Sequence, residues 1–296
     1  MMSDGPGKHH VPPEGLLVID KISGPTSHDV VARVRRATGV KRVGHAGTLD
    51  PLATGVVVVG LGRATRLLRY IQDLPKEYVA QVRFGIATDS LDSDGSEIWR
   101  EAMPVSREEV ESALSGFRGK IEQVPPMVSA IQIQGRRLHE LARAGLEVER
   151  QPRPVEVFRI ELTSFEDGDF PLATLVIECS KGTYVRVLAD DIARALGGRA
   201  HLEGLRRTRV GPFALDASLA MEDLDGWELA VLPLSAAVGG MPQMVADPAQ
   251  LTRVSHGKSL DVPGAEGRLA VLDPAGALIA VYLAAEGTAR PEVVLA

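Results

Sequence analysis

The run Val56-Val57-Val58-Val59, closed by Gly55 and Gly60, constrains the fold of this chain more than any other segment. A compact stretch of β-branched residues between glycines predicts a buried strand. Directly before it lies Gly44-His45-Ala46-Gly47-Thr48-Leu49-Asp50-Pro51-Leu52-Ala53-Thr54-Gly55. Its glycines allow close backbone approach or positive φ, and Pro51 drives Asp50 out of the helical region toward an extended conformation. The outcome is a carboxylate on a stiffened loop, the kind of place where an enzyme sets a nucleophile or base that must not wander. On residue types alone, a turn with a capping aspartate is the competing reading.

Alternation supplies the next constraint. From Glu77 to Ala87, Tyr78, Ala80, Val82, Phe84 and Ile86 share one face, which predicts a strand lying on a core. Gly15 to Asp20 reads as a short buried strand, followed by the turn Ser23-Gly24-Pro25 and a helix from about His28 to Ala37, capped by Thr26 or Ser27 and ended by Gly39. Helical spacing recurs over Arg63 to Asp73 through Ala64, Leu67, Leu68 and Ile71. Ser106 and Glu109 form a capping box for a helix to about Ser115, and Arg136 to Ala144 predicts another short helix closed by Gly145. Strands are expected at Val155 to Phe165 and Leu172 to Cys179, and a patterned helix from Tyr184 to Leu196 before Gly197-Gly198. This order lacks a strict βαβα rhythm, so the fold class is α+β, with a largely antiparallel mixed sheet flanked by helices. Residues 1–14 are expected to be flexible, 15–240 to form the main domain, and 246–296 a small β-rich one.

Charge bears on partners. The formal net charge of −6 argues against a nucleic-acid ligand when taken as an average, because lysine and arginine drive phosphate binding. Residues 211–296, however, hold 11 acidic and 4 basic residues, which leaves 28 acidic and 29 basic in residues 1–210. Within that part the bases cluster, at Arg33, Arg35, Arg36, Lys41 and Arg42, at Arg63, Arg66 and Arg69, and at Arg194, Arg199, Arg206, Arg207 and Arg209. Such patches could steer RNA; solvated helix faces are the plainer alternative. No apolar run is long enough for a signal peptide or a membrane span, so a cytoplasmic location is expected. Cys179 stands alone among apolar neighbours and predicts a buried structural thiol. No dinucleotide fingerprint or phosphate loop is present, and no cofactor is expected.

Several separated segments carry a resemblance. GHAGTLDPLATGVVVVGLGRATRL resembles the catalytic motif of the TruB family, the bacterial tRNA uridine-55 pseudouridine synthases. Asp20 to Ser27 (DKISGPTS) is similar to the family's DKPxGxTS start, with Ile22 in place of proline. Lys76-Glu77-Tyr78 is similar to its KxY element, Gln123 to Ala130 to QxPPxxSA, and Cys179 to Arg186 to CSxGTYxR. The resemblance covers about residues 15 to 210. It implies the pseudouridine synthase fold, a PUA-like module over 246–296, and isomerisation of uridine in the T loop of tRNA by base flipping, with no cofactor and no protein partner, as a monomer.

By that resemblance Asp50 is the catalytic aspartate. Tyr78 is the active-site tyrosine against the target uracil, although its place on an apolar strand face also suits a core residue. Arg186 pairs with the catalytic carboxylate; its rival is an i,i+4 pair with Asp190. His45 occupies the gap left by the extruded base. Tyr184 and Leu205 line the uridine pocket. Asp89, Asp92 and Asp94 match a TxTxDxxG turn in which Asp92 approaches the site. Gln132 and His139 depart from the family's usual lysine and tyrosine, inside the segment 129–145 that contacts RNA. Arg253 and Lys258 of the acidic tail are expected to touch RNA.

Other readings compete with this one. Ser90 to Gly95 mimics a calcium loop, but its first ligand position is serine and a strand precedes it, so no metal site is expected; nor do the other histidines show ligand spacing with His45. A metal-dependent phosphodiesterase using Asp89, Asp92 and Asp94 is a further alternative. A non-catalytic tRNA-binding or folding module is the other alternative, and it has no use for the Asp50, Tyr78 and Arg186 set.

Overall fold

The computed structural model describes residues 13–127, 132–133, 136–137 and 148–295. A ten-stranded sheet forms the main body. Its strands are β1 (Gly15–Lys21), β2 (Val43–His45), β3 (Thr54–Leu61), β4 (Lys76–Phe84), then, beyond the small hairpin β5 (Ile86–Thr88) and β6 (Glu97–Arg100), β7 (Gly119–Gln123). The two-residue strands β8 (Gln132–Ile133) and β9 (Arg136–Arg137) pair with each other. The main sheet continues with β10 (Arg153–Glu166), β11 (Leu172–Cys179), β12 (Ala200–Val210), β13 (Phe213–Ala214) and β14 (Leu219–Ala220). Its order is β14-β1-β3-β12-β4-β11-β10-β7, with β2 joined to β3 and β13 to β12. Only β1·β14 and β3·β12 run parallel, so the sheet is largely antiparallel.

Four helices accompany the first sheet. α1 (Ser27–Thr38) starts at a capping box between Thr26 and Asp29 and ends where Gly39 takes φ 68°, and its Val30, Val31 and Val34 pack inward. The short α2 (Leu68–Gln72) follows a 3₁₀ turn over Gly62–Arg66. α3 (Arg107–Leu114) has the expected box of Ser106 and Glu109, and α4 (Val185–Ala195) buries Val185, Leu188 and Ile192 against the sheet. One core cluster joins α1, α3 and α4 to Ile19, Val57, Tyr78, Val82 and Leu175. As expected, Cys179 is buried, and burial lifts its thiol to about 11.

A second sheet, β15-β17-β18-β19-β16, comprises β15 (Gln243–Val245), β16 (Leu260–Asp261), β17 (Gly267–Leu272), β18 (Leu278–Ala285) and β19 (Thr288–Val294), with α5 (Pro248–Ser255) beside it. Its Ala270, Leu278, Val281, Val293 and Leu295 share a core with Leu16, Val18, Val56, Val58, Leu67 and Ile71 of the first sheet and α2. Arg63 and Arg66 also donate to the carbonyls of Leu295 and Val294.

Four local readings change. The expected helix over Arg63 to Asp73 is half 3₁₀, since neither Leu61 nor Leu67 offers a capping side chain. The alternating strand stops at Phe84, because Gly85 turns at φ 82° and sends Ile86 into the small hairpin. Arg136 and Arg137 open a predicted helix but lie in β9; the rest of that helix and most of the segment 129–145 fall outside the described residues, as do residues 1–12. Arg206, Arg207 and Arg209 sit on β12, a central strand that the charge pattern concealed, and not on a solvated helix face.

Candidate active site

Asp50 lies on the connection from β2 to β3. The antiparallel pairing of these strands, from Val43↔Leu61 to His45↔Val59, sets the ends of the loop. Its middle is fastened by residues of the DKISGPTS segment. Ser27 Oγ takes the Leu49 N–H at 2.8 Å and donates to the Leu49 carbonyl at 3.3 Å. Gly24 N donates to the Pro51 carbonyl at 2.9 Å. The fully buried Lys21 donates through Nζ to the carbonyls of Pro51, Pro25 and Ile22 at 3.0, 2.7 and 2.9 Å. Both neighbours of Asp50 are thus held by main-chain bonds, which is how the sequence keeps one carboxylate fixed on a loop.

The loop borders a cleft of about 540 Å³, lined by Asp50, Tyr78, Asp92, Tyr184, Arg186 and Leu205 among others. Six of the seven expected site residues therefore meet at one place. At its floor Arg186, 3% exposed, reaches Asp50 Oδ2 at 3.3 Å and Asp92 Oδ2 at 3.4 Å. The rival pairing with Asp190 does not form; Asp190 instead takes Arg194 and Arg199 at 2.8 and 2.7 Å. Asp92 is aimed by its own turn, where Ser90 Oγ donates to its carboxylate and Thr88 Oγ1 to its carbonyl, while Asp89 turns away to accept from Ser96 N. Among the described residues no group of three His, Cys, Asp or Glu side chains is placed to hold a metal ion.

The electrostatics oppose one another. Loss of water raises the Asp50 pKa above its ordinary 3.8, with Asp92 and Asp94 adding to the rise and Arg186 and Lys21 pulling against it. The side chain keeps 41% exposure, directed at the cleft where a substrate would stand. Tyr78, 9% exposed, has its phenol raised by burial and stays neutral. Its strand face is both core and cleft wall, so the two readings of Tyr78 describe one position.

His45 is placed differently. It is half-buried on β2, outside the cleft lining, with its ring edge-on to His28 at 5.4 Å and 81°. Burial lowers its pKa, helped by His28, so the imidazole is held neutral.

Sequence reasoning overlooked three residues. Gln123 clamps Tyr184 from both sides, accepting from its N–H at 3.0 Å and donating to its carbonyl at 3.3 Å. Lys76 lies in the cleft wall, where burial brings it to about 8. Arg207 donates to Gly47, Thr48 and Val56 carbonyls. The first two belong to matched motifs, so their presence was marked even though their roles were not; Arg207 was hidden among arginines.

The fold recurs in known proteins. The structure aligns with the crystal structure of a Cbf5-Nop10-Gar1 complex at a TM-score of 0.75 and 26% identity, over 95% of this chain and 85% of the other. An H/ACA RNP bound to a substrate RNA containing 2′-deoxyuridine aligns with a TM-score of 0.72, also at 26% identity, over 95% and 85%. The fold is that of the pseudouridine synthases. Residues 35–185 match the TruB family pseudouridylate synthase N-terminal domain, residues 186–232 the tRNA pseudouridylate synthase B C-terminal domain, and residues 241–296 the tRNA pseudouridine synthase II C-terminal domain. The tRNA pseudouridine synthase B of Symbiobacterium thermophilum is 49% identical over 82% of each chain, and that of Thermobifida fusca 41% identical over 96% of this chain and 99% of its own. The chain belongs to the TruB family of tRNA pseudouridine synthases, enzymes that isomerise uridine in tRNA. No helix among the described residues is long and apolar enough to cross a membrane.

Proposed function

We propose that this enzyme converts uridine 55 in the T loop of tRNA to pseudouridine, with Asp50 as its catalytic carboxylate. The observation that carries this reading is the Asp50 to Arg186 contact at 3.3 Å on the floor of a cleft walled by Tyr78, Tyr184 and Leu205. In the reaction the N1–C1′ bond breaks, the uracil turns, and C5 joins C1′. The C5 proton leaves as N1 regains one, so neither oxidant nor activated donor is consumed. Asp50 starts the bond break as nucleophile or base. Arg186 holds it ionised and aimed. Tyr78 gives the uracil a stacking face and Leu205 an apolar wall. Asp92 steadies Arg186.

The base reaches this cleft only after leaving the folded T loop. His45, neutral and beside the loop, fills the vacated position by stacking. Residues 15–240 act as the catalytic unit, and the PUA-like module over 246–296 touches RNA beside it through Arg253 and Lys258. The enzyme works in the cytoplasm as a monomer, without cofactor or protein partner.

The test uses unmodified tRNA, the wild-type protein and Asp50→Asn. Wild type places pseudouridine at position 55, and the variant binds tRNA without converting it. Equal conversion by both proteins, or binding by both with no conversion by either, refutes the proposal; the latter result would identify a tRNA-binding module.

A further inference from the structure

Arg207 is 1% exposed in the middle of β12. Its register partners are Gly55 on β3 and Tyr78 on β4, so it stands between the strand that receives the Asp50 loop and the strand that carries the cleft phenol. Nε donates to the Val56 carbonyl at 2.7 Å, and the two terminal nitrogens donate to the carbonyls of Thr48 and Gly47 at 3.3 and 3.1 Å. These acceptors are main-chain groups on either side of Asp50, and none is a carboxylate.

Stability alone does not account for this side chain. Burying a guanidinium costs several kcal/mol even after relaxation, and an apolar side chain of similar volume often serves a core as well or better. What an apolar side chain cannot do is hold several carbonyls with one rigid, planar fork. The loop needs such a holder. Gly47 at φ 98° and Gly55 at φ 101° leave it without side chains of its own to pack at those points. The neighbouring strand comes so close that a Cβ on Gly55 would lie 2.2 Å from the Arg207 carbonyl oxygen.

Resting on the reading of Asp50 as the catalytic carboxylate, we propose that Arg207 is a positioning residue whose fork fixes Gly47 and Thr48, and thereby the height of Asp50 against Arg186 and Tyr78. Lys21 and Ser27 hold the loop from the α1 side, and Arg207 holds it from the sheet. One of the chain's arginine clusters thus contributes an internal brace. Arg206, the preceding residue, faces the other way and pairs with Asp20 at 2.7 Å.

The experiment compares wild type, Asp50→Asn, Arg207→Gln and Arg207→Lys in single-turnover conversion of unmodified tRNA, with tRNA Kd and Tm measured on each. A displacement of about 1 Å at a reacting group costs roughly 10²-fold in rate. Arg207→Gln is expected to lose about that much while its Kd stays within about threefold of wild type. Arg207→Lys keeps the charge but not the fork and is expected to fall between. If Arg207→Gln does not fold, guanidinium added to folded Arg207→Lys is the deciding measurement. A rate gain specific to guanidinium, absent with ammonium at equal ionic strength, supports the brace. Wild-type rates in folded Arg207 variants, an equal fall of rate, Kd and Tm, or no guanidinium effect would overturn it. Full conversion by Asp50→Asn would instead fail the underlying reading of Asp50.

Discussion

Asp50 and Asp92 hold the same guanidinium, that of Arg186, at 3.3 and 3.4 Å. At Asp50 the loss of water outweighs the pull of Arg186, and the Asp92 charge on the same guanidinium adds to the rise. The role proposed for Asp50 requires the ionised carboxylate, so activity is expected to be lost as pH falls through the Asp50 pKa, with the acid limb of the single-turnover rate above 3.8. Asp92→Asn removes a charge that raises that pKa. Its acid limb is expected at lower pH than that of wild type; a limb displaced upward would refute the shared-cation account.

Binding of tRNA is expected to weaken steeply with salt even though the net charge is −6. Counterion release depends on the cations that meet phosphate, not on the total, and each phosphate neutralised contributes roughly 0.7 to 0.9 to the slope of log K against log salt. Titration of Kd between low and moderate salt measures it. A flat response would mean that the basic clusters do not meet the backbone.

Gly55 and Gly182 both have positive φ, 101° and 81°, yet their surroundings differ. A Cβ on Gly55 would collide with the Arg207 main chain, whereas one on Gly182 meets nothing within 4 Å. Gly182→Ala should cost only the left-handed strain, about 1–2 kcal/mol. Gly55→Ala adds overpacking of about 1–3 kcal/mol. Denaturant midpoints on the two variants check the order; equal midpoints would mean that strand spacing at Gly55 is not fixed.

Lys21 and Lys76 are each brought to about 8 from 10.5, first of all by burial. Between those values the unfolded chain binds more protons than the folded one, so stability rises with pH across that window. From pH 8 to 9 the gain is about 1 kcal/mol for each lysine. Above 9 the Cys179 thiol, raised from 9.0 to about 11, acts with the opposite sign. Urea unfolding should therefore show greater stability at pH 9 than at pH 8, and Lys76→Met should remove about half of the increase. Unchanged pH dependence in that variant would place the amine in water.

Much of this was legible in the sequence. The caps of α1 and α3, the valine strand and α4 announce themselves because each depends on neighbours within one or two turns. The cleft set was legible only as a pattern of types: nothing local says that Asp92 and Arg186 meet, since 94 positions separate them. β12 was hidden by its own arginines, because a strand that alternates Leu205 and Arg207 toward the cleft with Arg206 toward Asp20 looks like a solvated basic run until its neighbours are in place. The break at Gly85 and the 3₁₀ turn at Gly62 were missed because the alternating and helical patterns run on across a single glycine turn and an uncapped start.

Leu16 and Val58, near the start of the chain, share one dry interior with Val293 and Leu295. That joint imposes an order in time. During synthesis the rear of the first sheet stays unsealed until nearly 280 further residues have been made, and contacts so distant in sequence form slowly. Ribosome stalling or premature termination anywhere after β14 would leave an oily flank that aggregates rather than a smaller working enzyme.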